Sequence, residues 1–499
     1  MKRTRSAGIL LPISSLPSPY GIGTLGKEAN RFIDFLVKAD QTYWQVLPIG
    51  PTSYGDSPYQ SFSSFAGNPY FIDLDLLVKD DLLEKKDLKG LKVEDENYVD
   101  YGFLYNTRYP ILHKAFLKGK DLLEEPLKRF VEENKNWLED YALFMALKKH
   151  FDSASWLQWP DASIRERHPD ALARYKEELK EDIAFYEFLQ YLFFDQYAKL
   201  REYAHEKGIK IIGDLPIYVA MDSADVWSDS KQFQLDENTK VPKDIAGVPP
   251  DYFSKDGQLW GNPLYNWNYM KQTGYKWWID RVAGVSKFFD VIRIDHFRGF
   301  AEYWSVKYGE KTAKNGHWEK GPSIDFVGVL RDWFSNVEFI AEDLGVITES
   351  VTKLLEQSGF PGMRVLEFAM TPDGSSYHCP HNQNENCVCY IATHDNLPIM
   401  GWLENAKPKD LDYAKRYFGL NEEEGYNFGF IRGGMSTVAY LFIAQMQDYL
   451  GLGEEATINK PGSLGNWRWR MLKGQADATL AKKIASITYT YHRGREKKK

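Results

Sequence analysis

The sequence predicts an α/β protein, a (β/α)8 TIM barrel with large subdomain insertions around the carboxyl ends of its strands. Short apolar runs bounded by Gly, Pro, Asp or Asn alternate with helical patterns along the chain. Several of these runs are continuous rather than alternating, which is typical of parallel strands covered on both faces. Eight strand-helix units of this kind close most readily into a barrel.

The candidate strands are spread over the whole chain. In chain order they are AGILLPI (7–13), YWQVLPI (43–49), GIKIIGDL (208–215), FFDVIRID (288–295), VEFIAED (337–343), GMRVLEF (362–368), CVCYIATHD (387–395) and NWRWRML (466–472). Helical patterns connect them. Between 183 and 208, large apolar residues recur at helical spacing and the pattern ends at Gly208.

Two connections are far longer than normal barrel loops. They span approximately 52–205, between the second and third strands, and 216–285, between the third and fourth. We expect insertions of this size to form subdomains at the end of the barrel where active sites lie. No linker or repeat divides the chain, so residues 1–499 are predicted to form a single catalytic barrel.

Composition and charge exclude several classes of function. The chain has 62 Lys and Arg against 70 Asp and Glu, a net charge of -8 with the signs interspersed, which argues against a nucleic-acid partner. Apolar runs fall short of the roughly 18 residues that span a membrane, and the start, MKRTRSAGILLP, lacks the features of a signal peptide. We expect a cytoplasmic protein, or a mature plastid form, with no membrane partner; monomer and dimer are both open.

The three cysteines are too few for a disulfide framework, which favours a reducing compartment. They cluster in HCPHNQNENCVC (378–389), so a metal site is one interpretation. Cys387 and Cys389, however, are two apart in a predicted strand, and free Cys is commonly a small buried hydrophobe. We therefore predict no metal site.

Aromatic residues make up 15% of the chain, with 15 Trp, 31 Tyr and 29 Phe. Flat apolar faces with a polar edge suit protein cores and interfaces. The same faces stack on sugar rings, so the composition favours a carbohydrate partner without establishing one.

Acidic residues stand at the ends of three candidate strands. Arg293 and Asp295 are two apart and share a face at the end of the fourth strand, while AEDLG (341–345) and THDN (393–396) end the fifth and seventh. Each has a structural alternative: a salt bridge for the first, helix capping for the second and a core role for His394. Three carboxylates at one barrel mouth together favour an active site.

Two carboxyl groups with different pKa values are the chemistry of glycoside cleavage. Arg293 beside Asp295 favours the ionised carboxylate, which suits a nucleophile. Glu342, with no basic sequence neighbour, is the candidate acid/base. Asp395, with His394, is left to hold sugar hydroxyls and the positive charge at the anomeric carbon.

These three motifs resemble the catalytic signatures of the amylomaltases, the 4-α-glucanotransferases or disproportionating enzymes related to the α-amylases. Four longer segments are also similar to that family: LLPISSLPSPYGIGTLG (10–26), GDSPYQSFSSFAGNPYFIDL (55–74), GDLPIYVAMDSADVW (213–227) and AGVPPDYFSKDGQLWGNPLYNW (246–267). The resemblance covers essentially the whole chain.

The resemblance implies that Asp295 is the nucleophile, Glu342 the general acid/base and Asp395 the transition-state stabiliser. It further implies that Asp214, Arg293, His296 and His394 line the donor-sugar site and that Tyr59, Asp251, Phe253 and Trp260 grip the glucan around the cleavage point. Asn466 would contact the acceptor side, and Tyr54 and Tyr101 would belong to a second, remote glucan site.

The loop VPPDYFSKDGQLWGNPLYNW (248–267) has two interpretations. Its prolines and glycines predict a stiff, non-repetitive loop, and such a loop with aromatic residues is suited to act as a lid or acceptor platform. Alternatively Trp260, Tyr265 and Trp267 pack the insertion onto the barrel.

The chain departs from the commonest family pattern after THDN, where Leu397-Pro398 replace acidic or threonine residues and put the local loop shape in question. The first strand begins near residue 7 and little follows the eighth unit, so we expect no separate starch-binding domain and no C-terminal β-sandwich.

The resemblance implies transfer of an α-1,4-glucan segment from a malto-oligosaccharide or starch donor to the 4-hydroxyl of an acceptor glucan or glucose, with retention. It implies no cofactor, and no nucleotide-binding fingerprint is apparent. The alternatives are an α-amylase-type hydrolase, which has the same carboxylates, and a catalytically silent glucan-binding protein, which would not need a placed nucleophile.

Overall fold

The computed structural model describes residues 3–53, 55–250 and 254–495. The strands are β1 (Ser6–Leu10), β2 (Tyr43–Gln45), β3 (Lys210–Leu215), β4 (Asp244–Val248), β5 (Gln258–Pro263), β6 (Val291–Ile294), β7 (Glu302–Lys307), β8 (Gly316–Lys320), β9 (Glu338–Ala341), β10 (Gly362–Val365), β11 (Cys387–Tyr390) and β12 (Leu441–Gln445).

The helices follow the strands in alternation over much of the chain. They are α1 (Lys27–Lys38), α2 (Leu74–Lys79), α3 (Tyr101–Leu122), α4 (Glu124–His150), α5 (Ala162–Arg165), α6 (Pro169–Glu178), α7 (Lys180–Glu206), α8 (Ala224–Ser228), α9 (Trp267–Gln272), α10 (Lys276–Ser286), α11 (Ser323–Trp333), α12 (Glu349–Ser358), α13 (Ile399–Asn405), α14 (Pro408–Phe418), α15 (Tyr426–Ser436), α16 (Met446–Leu450) and α17 (Ala478–Thr490).

Eight of the strands form one parallel sheet in the order β10, β11, β12, β1, β2, β3, β6 and β9. The N–H of Ala341, at the end of β9, donates to the carbonyl of Pro361, just before β10, at 2.9 Å. This hydrogen bond brings the two ends of the sheet together. The strands are buried almost throughout because helices cover their outer faces. The predicted (β/α)8 barrel is confirmed.

One predicted strand is wrong. The eighth barrel strand is Leu441–Gln445, which is entirely buried, whereas 466–472 contains no strand of the barrel sheet. There Arg468 donates to the carbonyl of Val99 at 2.8 Å and Arg470 to that of Ser18 at 2.6 Å. The alternation of Trp and Arg imitates a strand, and the continuous apolar run that holds β12 cannot be distinguished from a helix by its period.

The connection between β2 and β3 is largely helical. Within it α4 packs along α7, and α7 leads directly into β3. The helix predicted to end at glycine does so, because Gly208 follows α7 with a φ of 71°.

A second sheet lies beside the barrel, with antiparallel strands in the order β5, β4, β7 and β8. β4 and β5 come from the connection between β3 and β6, and β7 and β8 from the one between β6 and β9. The loop predicted over 248–267 is therefore partly wrong, because Gln258–Pro263 pairs with β4. No helix in the described ranges is long and apolar enough to cross a bilayer.

Candidate active site

The predicted catalytic and donor-sugar residues lie at the carboxyl ends of β3, β6 and β9 and in the loop that follows β11. The strand register sets this arrangement: Asp214 on β3 pairs with Arg293 on β6, and Ile294 pairs with Ala341 on β9. Asp295 and Glu342 are the next residue on each of the two neighbouring strands. They therefore lie side by side at the carboxyl ends of β6 and β9.

Arg293 is buried and bridges two carboxylates. Its Nη1 donates to Oδ2 of Asp214 at 2.6 Å and to Oδ1 of Asp295 at 3.0 Å. The side chain of Asp214 is fully buried, whereas that of Asp295 is 26% exposed. The salt bridge that the sequence offered as an alternative is thus present, and it leaves Asp295 open to the barrel mouth.

Glu342 is held by main-chain donors. The N–H of His296 donates to its Oε2 and the N–H of Leu344 to its Oε1, each at 2.7 Å. His296 has a left-handed backbone with a φ of 49°, which turns its N–H toward Glu342. The carboxyl is buried and fixed next to Asp295 without a cation in direct contact among the described residues.

Burial raises the pKa of both carboxyls. For Asp295 burial is the largest effect; Arg293 lowers its pKa, as expected, but the charges of Asp214 and Glu342 raise it. Burial likewise raises the pKa of Glu342, opposed by Arg293 and the two main-chain bonds. Protonation of Glu342 removes one negative charge facing Asp295, so the acid form of Glu342 favours the ionised form of Asp295.

Asp395 is the most exposed of the three predicted catalytic acids, with 41% of its side chain accessible. Its Oδ1 accepts a hydrogen bond from Nδ2 of Asn459 at 2.6 Å and lies 3.4 Å from Nε2 of His394. The main-chain N–H of Asn459 also donates to the carbonyl of His394. Asn459 therefore fixes the segment that carries Asp395.

Tyr59 connects Asp214, at the end of β3, to His394, in the loop after β11. Its hydroxyl donates to Oδ2 of Asp214 at 2.7 Å and lies 2.9 Å from Nε2 of His394. Because the single hydroxyl proton goes to Asp214, the oxygen accepts from Nε2–H of His394. Burial lowers the pKa of His394, although Asp395 opposes the shift, and a neutral imidazole results near neutral pH.

The ring of His296 meets Trp260 edge to face at a centroid distance of 4.9 Å. Burial, assisted by the charge of Arg298, lowers the pKa of His296 to about 3. Trp260 lies on β5 and is half-buried, so its ring borders the acid/base side of the site. Tyr265 and Trp267, by contrast, pack the insertion: Tyr265 donates to the carbonyl of Ile217, and Trp267 stacks with Trp278.

Two of the remaining predicted residues, Asn466 and Tyr101, bond other parts of the chain, and three lie outside the described residues. Asn466 lies in the segment after Asn459, and its side chain bonds Lys460 and Ser463. Tyr101 begins α3, and its hydroxyl donates to the carbonyl of Trp467 at 2.9 Å. The described residues do not include Tyr54, Asp251 or Phe253, which therefore stay predictions.

Comparison with known proteins identifies the family. The family model described as 4-alpha-glucanotransferase matches residues 11–475. The chain is 50% identical to the 4-alpha-glucanotransferase of Clostridium butyricum over 96% of this chain and 99% of that one. The chain belongs to the 4-alpha-glucanotransferase family. It is therefore an enzyme that transfers glucan.

Two further relatives agree. The 4-alpha-glucanotransferase of Streptococcus pneumoniae is 45% identical over 98% of both chains. The amylomaltase of Streptococcus agalactiae, solved in complex with acarbose, superposes on this glucanotransferase with a TM-score of 0.96 at 42% identity, covering 98% of this chain and all of that one.

In this glucanotransferase the second acid of AEDLG has a structural task. Asp343 is buried, accepts from the N–H of Met363 at 2.6 Å and pairs with Arg364 at 3.0 Å. The helix-capping alternative is wrong for both acids, because the residue before the next helix, α12, is Thr348.

Two residues of the site lie outside those that the sequence predicted. Asn459 contacts Asp395, and the ring of Trp467 packs on Tyr59 and His394. Neither belongs to a local catalytic motif, since both lie about 60 to 70 residues after His394 and Asp395 in the chain. Trp467 follows the predicted Asn466 directly, which is the one available signal.

Proposed function

We propose that this enzyme cleaves an α-1,4 bond of a donor glucan, holds the released segment as an ester on Asp295 and passes it to the 4-hydroxyl of an acceptor glucan or glucose. The observation that carries the proposal is the side-by-side placement of Asp295 and Glu342 at the ends of neighbouring strands, with Glu342 buried and Asp295 open to the barrel mouth. This is the pair of carboxyl groups that retaining glycoside chemistry needs.

Both steps use both groups. Glu342, in its acid form, donates its proton to the oxygen of the leaving sugar while Asp295 attacks the anomeric carbon, and the donor bond breaks. Glu342, now ionised, accepts the proton of the acceptor 4-hydroxyl, whose oxygen displaces Asp295. Two inversions at one carbon give net retention, and the proton returns to Glu342.

The surrounding residues support binding of the donor sugar. We assign Asp395 to the stabilisation of positive charge at the anomeric carbon. Asp214, Arg293, His296 and His394 are assigned to the donor sugar. The Oδ1 atom of Asp214 is buried without a partner among the described residues and is suited to accept from a sugar hydroxyl.

We assign Tyr59, Trp260, Asp251 and Phe253 to the grip on the glucan near the cleavage point. The half-buried ring of Trp260 supports this, since an aromatic face beside the acid/base provides a platform for a sugar. Asn466 is assigned to the acceptor side, where it shapes the segment next to Asp395. The second glucan site at Tyr54 and Tyr101 stays a prediction.

The substrate class is α-1,4-glucans: malto-oligosaccharides, amylose and starch. The Streptococcus agalactiae relative was solved with acarbose, an oligosaccharide mimic, which supports this class. We further propose that residues 1–499 act as one catalytic unit, with insertions of approximately 52–205 and 216–285. The cytoplasm, or a plastid, is the proposed site of action; the potato relative, described as chloroplastic/amyloplastic, supports the plastid alternative.

Incubation with pure maltotriose tests this function. A transferase yields glucose and a ladder of longer oligosaccharides with almost no gain in total reducing ends, because each cleaved bond is replaced by a new one. A hydrolase raises reducing ends in step with bond cleavage, and a binding protein releases nothing. The comparisons do not favour either alternative, and a rise in reducing ends would overturn the proposal.

A further inference from the structure

We propose that Trp467 is a positioning residue that fixes the Tyr59–His394 pair, and that Tyr101 supports the active site by holding Trp467 in place. The inference rests on the proposed function for its activity measurements. It gives Tyr101 a role that does not depend on glucan binding at a remote site.

Three rings form a continuous cluster, which we call the aromatic triad (Tyr59, His394 and Trp467). Tyr59 and His394 stack with centroids 5.3 Å apart and planes at 15°. The indole of Trp467 lies 5.7 Å from the ring of Tyr59 and 6.0 Å from that of His394, tilted by 40° and 39°. Trp467 is buried. Its ring therefore packs against both members of the Tyr59–His394 pair.

The backbone of Trp467 is in an unfavourable conformation. Its φ is 66°, in the left-handed region that residues with a bulky side chain rarely occupy. Such strain persists only where the surroundings maintain it, and it clusters at functional sites. Here the N–H of Trp467 donates to the carbonyl of Ile458 at 2.7 Å, and its own carbonyl accepts from the Tyr101 hydroxyl at 2.9 Å.

The consequence for the chemistry runs through the hydrogen bonds of Tyr59. Its hydroxyl joins His394 to Asp214, and Asp214 shares Arg293 with Asp295. A tilt of the Tyr59 or His394 ring would lengthen these bonds and shift the groups around the reacting carbon. Misplacement of about 1 Å in an active site costs about 100-fold in rate.

The same ring protects the imidazole from water. Among the described residues, the charged or titratable groups that face His394 are Asp395 on its own segment, Tyr59, Asp214 on β3 and Arg293 on β6. Burial lowers the pKa of His394, and removal of the indole would let water in and move that pKa back toward its ordinary value. Protonated His394 then donates from both nitrogens, and the acid limb of the rate profile moves to higher pH.

The test compares Trp467→Ala, Trp467→Phe and Tyr101→Phe in the full chain, with Trp333→Ala as control because Trp333 is an exposed tryptophan on α11. We expect Trp467→Ala to lower kcat for maltotriose transfer by about 100-fold, with a smaller change in KM and an acid limb moved to higher pH. Trp467→Phe should restore most of the rate. Tyr101→Phe deletes one hydroxyl, and its kcat should lie between those of the two Trp467 variants. The kcat of the control should match that of wild type.

The inference would be overturned if Trp467→Ala and Trp467→Phe had the same kcat as each other and neither moved the acid limb of the rate profile. Trp467 would then contribute to packing alone. If Trp467→Ala does not fold, Tyr101→Phe decides: a lowered kcat with a displaced acid limb supports the inference, and unchanged values for both refute it. Wild type is measured in parallel, so that failure of the proposed function, seen as no transfer by wild type, is distinct from failure of this inference.

Discussion

The main-chain N–H of His296 donates to Oε2 of Glu342 at 2.7 Å. The N–H of the next residue, Phe297, donates to the main-chain carbonyl of Glu342 at 3.0 Å. The chain that leaves Asp295 therefore holds both the side chain and the backbone of Glu342. Because these two donors directly follow Asp295 in the chain, they fix the two proposed reacting groups relative to each other.

Removing either reacting group should abolish turnover without unfolding the chain. Asp295→Asn and Glu342→Gln keep the size of the side chain but lose the nucleophile or the proton, and removing a nucleophile or an acid/base each costs several orders of magnitude in rate. Maltotriose transfer and thermal melting measure the two effects. Residual activity above a tenth of wild type, with normal melting, would remove that residue from its role.

Asp343 provides a matched control, because it is the acid adjacent to Glu342 but binds Met363 and Arg364. Asp343→Ala leaves the buried N–H of Met363 without its acceptor and the guanidinium of Arg364 with the Met363 carbonyl as its one acceptor among the described residues, and an unsatisfied buried donor costs about 1–3 kcal/mol. We expect a lower melting temperature with transfer activity retained per folded molecule. Loss of activity in the folded variant comparable to that of Glu342→Gln would contradict the division of roles between the two acids.

The aromatic ring of Trp260 should favour transfer of the ester to an acceptor sugar over its hydrolysis by water. A bound acceptor competes with water through positioning, for which effective molarities reach about 10⁵ to 10⁸ M against about 55 M for water. Trp260→Ala should lower the transfer rate and raise the ratio of hydrolysis to transfer, seen as new reducing ends per bond cleaved. If both fates fall in equal proportion, the ring is only a structural support.

Stability should depend on pH through Asp448, a fully buried residue in α16. Burial raises its pKa from 3.8 to about 7, although the N–H groups of Ile399 and Gln445 oppose the shift. The folded chain then holds this proton more tightly than the unfolded chain. The resulting stabilisation is complete below about pH 4 and is lost as the pH rises to about 7, by about 4 kcal/mol at most.

Asp448→Asn removes this titration. We expect the stability of the variant relative to wild type to increase between pH 4.5 and pH 7.5, measured by denaturant unfolding at both pH values. Asp332→Asn, at an exposed carboxyl on α11, is the control and should show no such trend. A constant difference for Asp448→Asn across this range would refute the pKa assigned to the buried carboxyl.

The sequence is informative where a predicted strand ends in a predicted catalytic acid. Asp295 and Glu342 end apolar runs that are short, bounded and β-branched, so both the strands and their terminal acids were predictable. Adjacent residues on a strand point to opposite faces, yet sequence alone does not say which face is which. The sequence predicts Glu342 as the acid/base, but the structural task of Asp343 is visible only in its contacts with Met363 and Arg364.

Long-range contacts account for the rest. The sequence does not predict Leu441–Gln445 as a strand, because a continuous apolar run lacks a distinguishing period. It predicts a strand at 466–472 instead, although the arginines of that segment bind carbonyls from the first hundred residues. For the same reason the contacts of Asn459 and Trp467 with Asp395 and His394, in the loop after β11, are not predictable from local sequence.

The most direct test of the account is capture of the glycosyl ester on Asp295. An activated glucosyl fluoride needs no protonated leaving group, so Glu342→Gln should still form the ester, while loss of the base slows its breakdown. Intact-mass measurement should show one added glucosyl unit, and peptide mapping should place it on Asp295. A sugar mapped to Asp343 or Asp395, or no covalent adduct at all, would contradict the proposed mechanism.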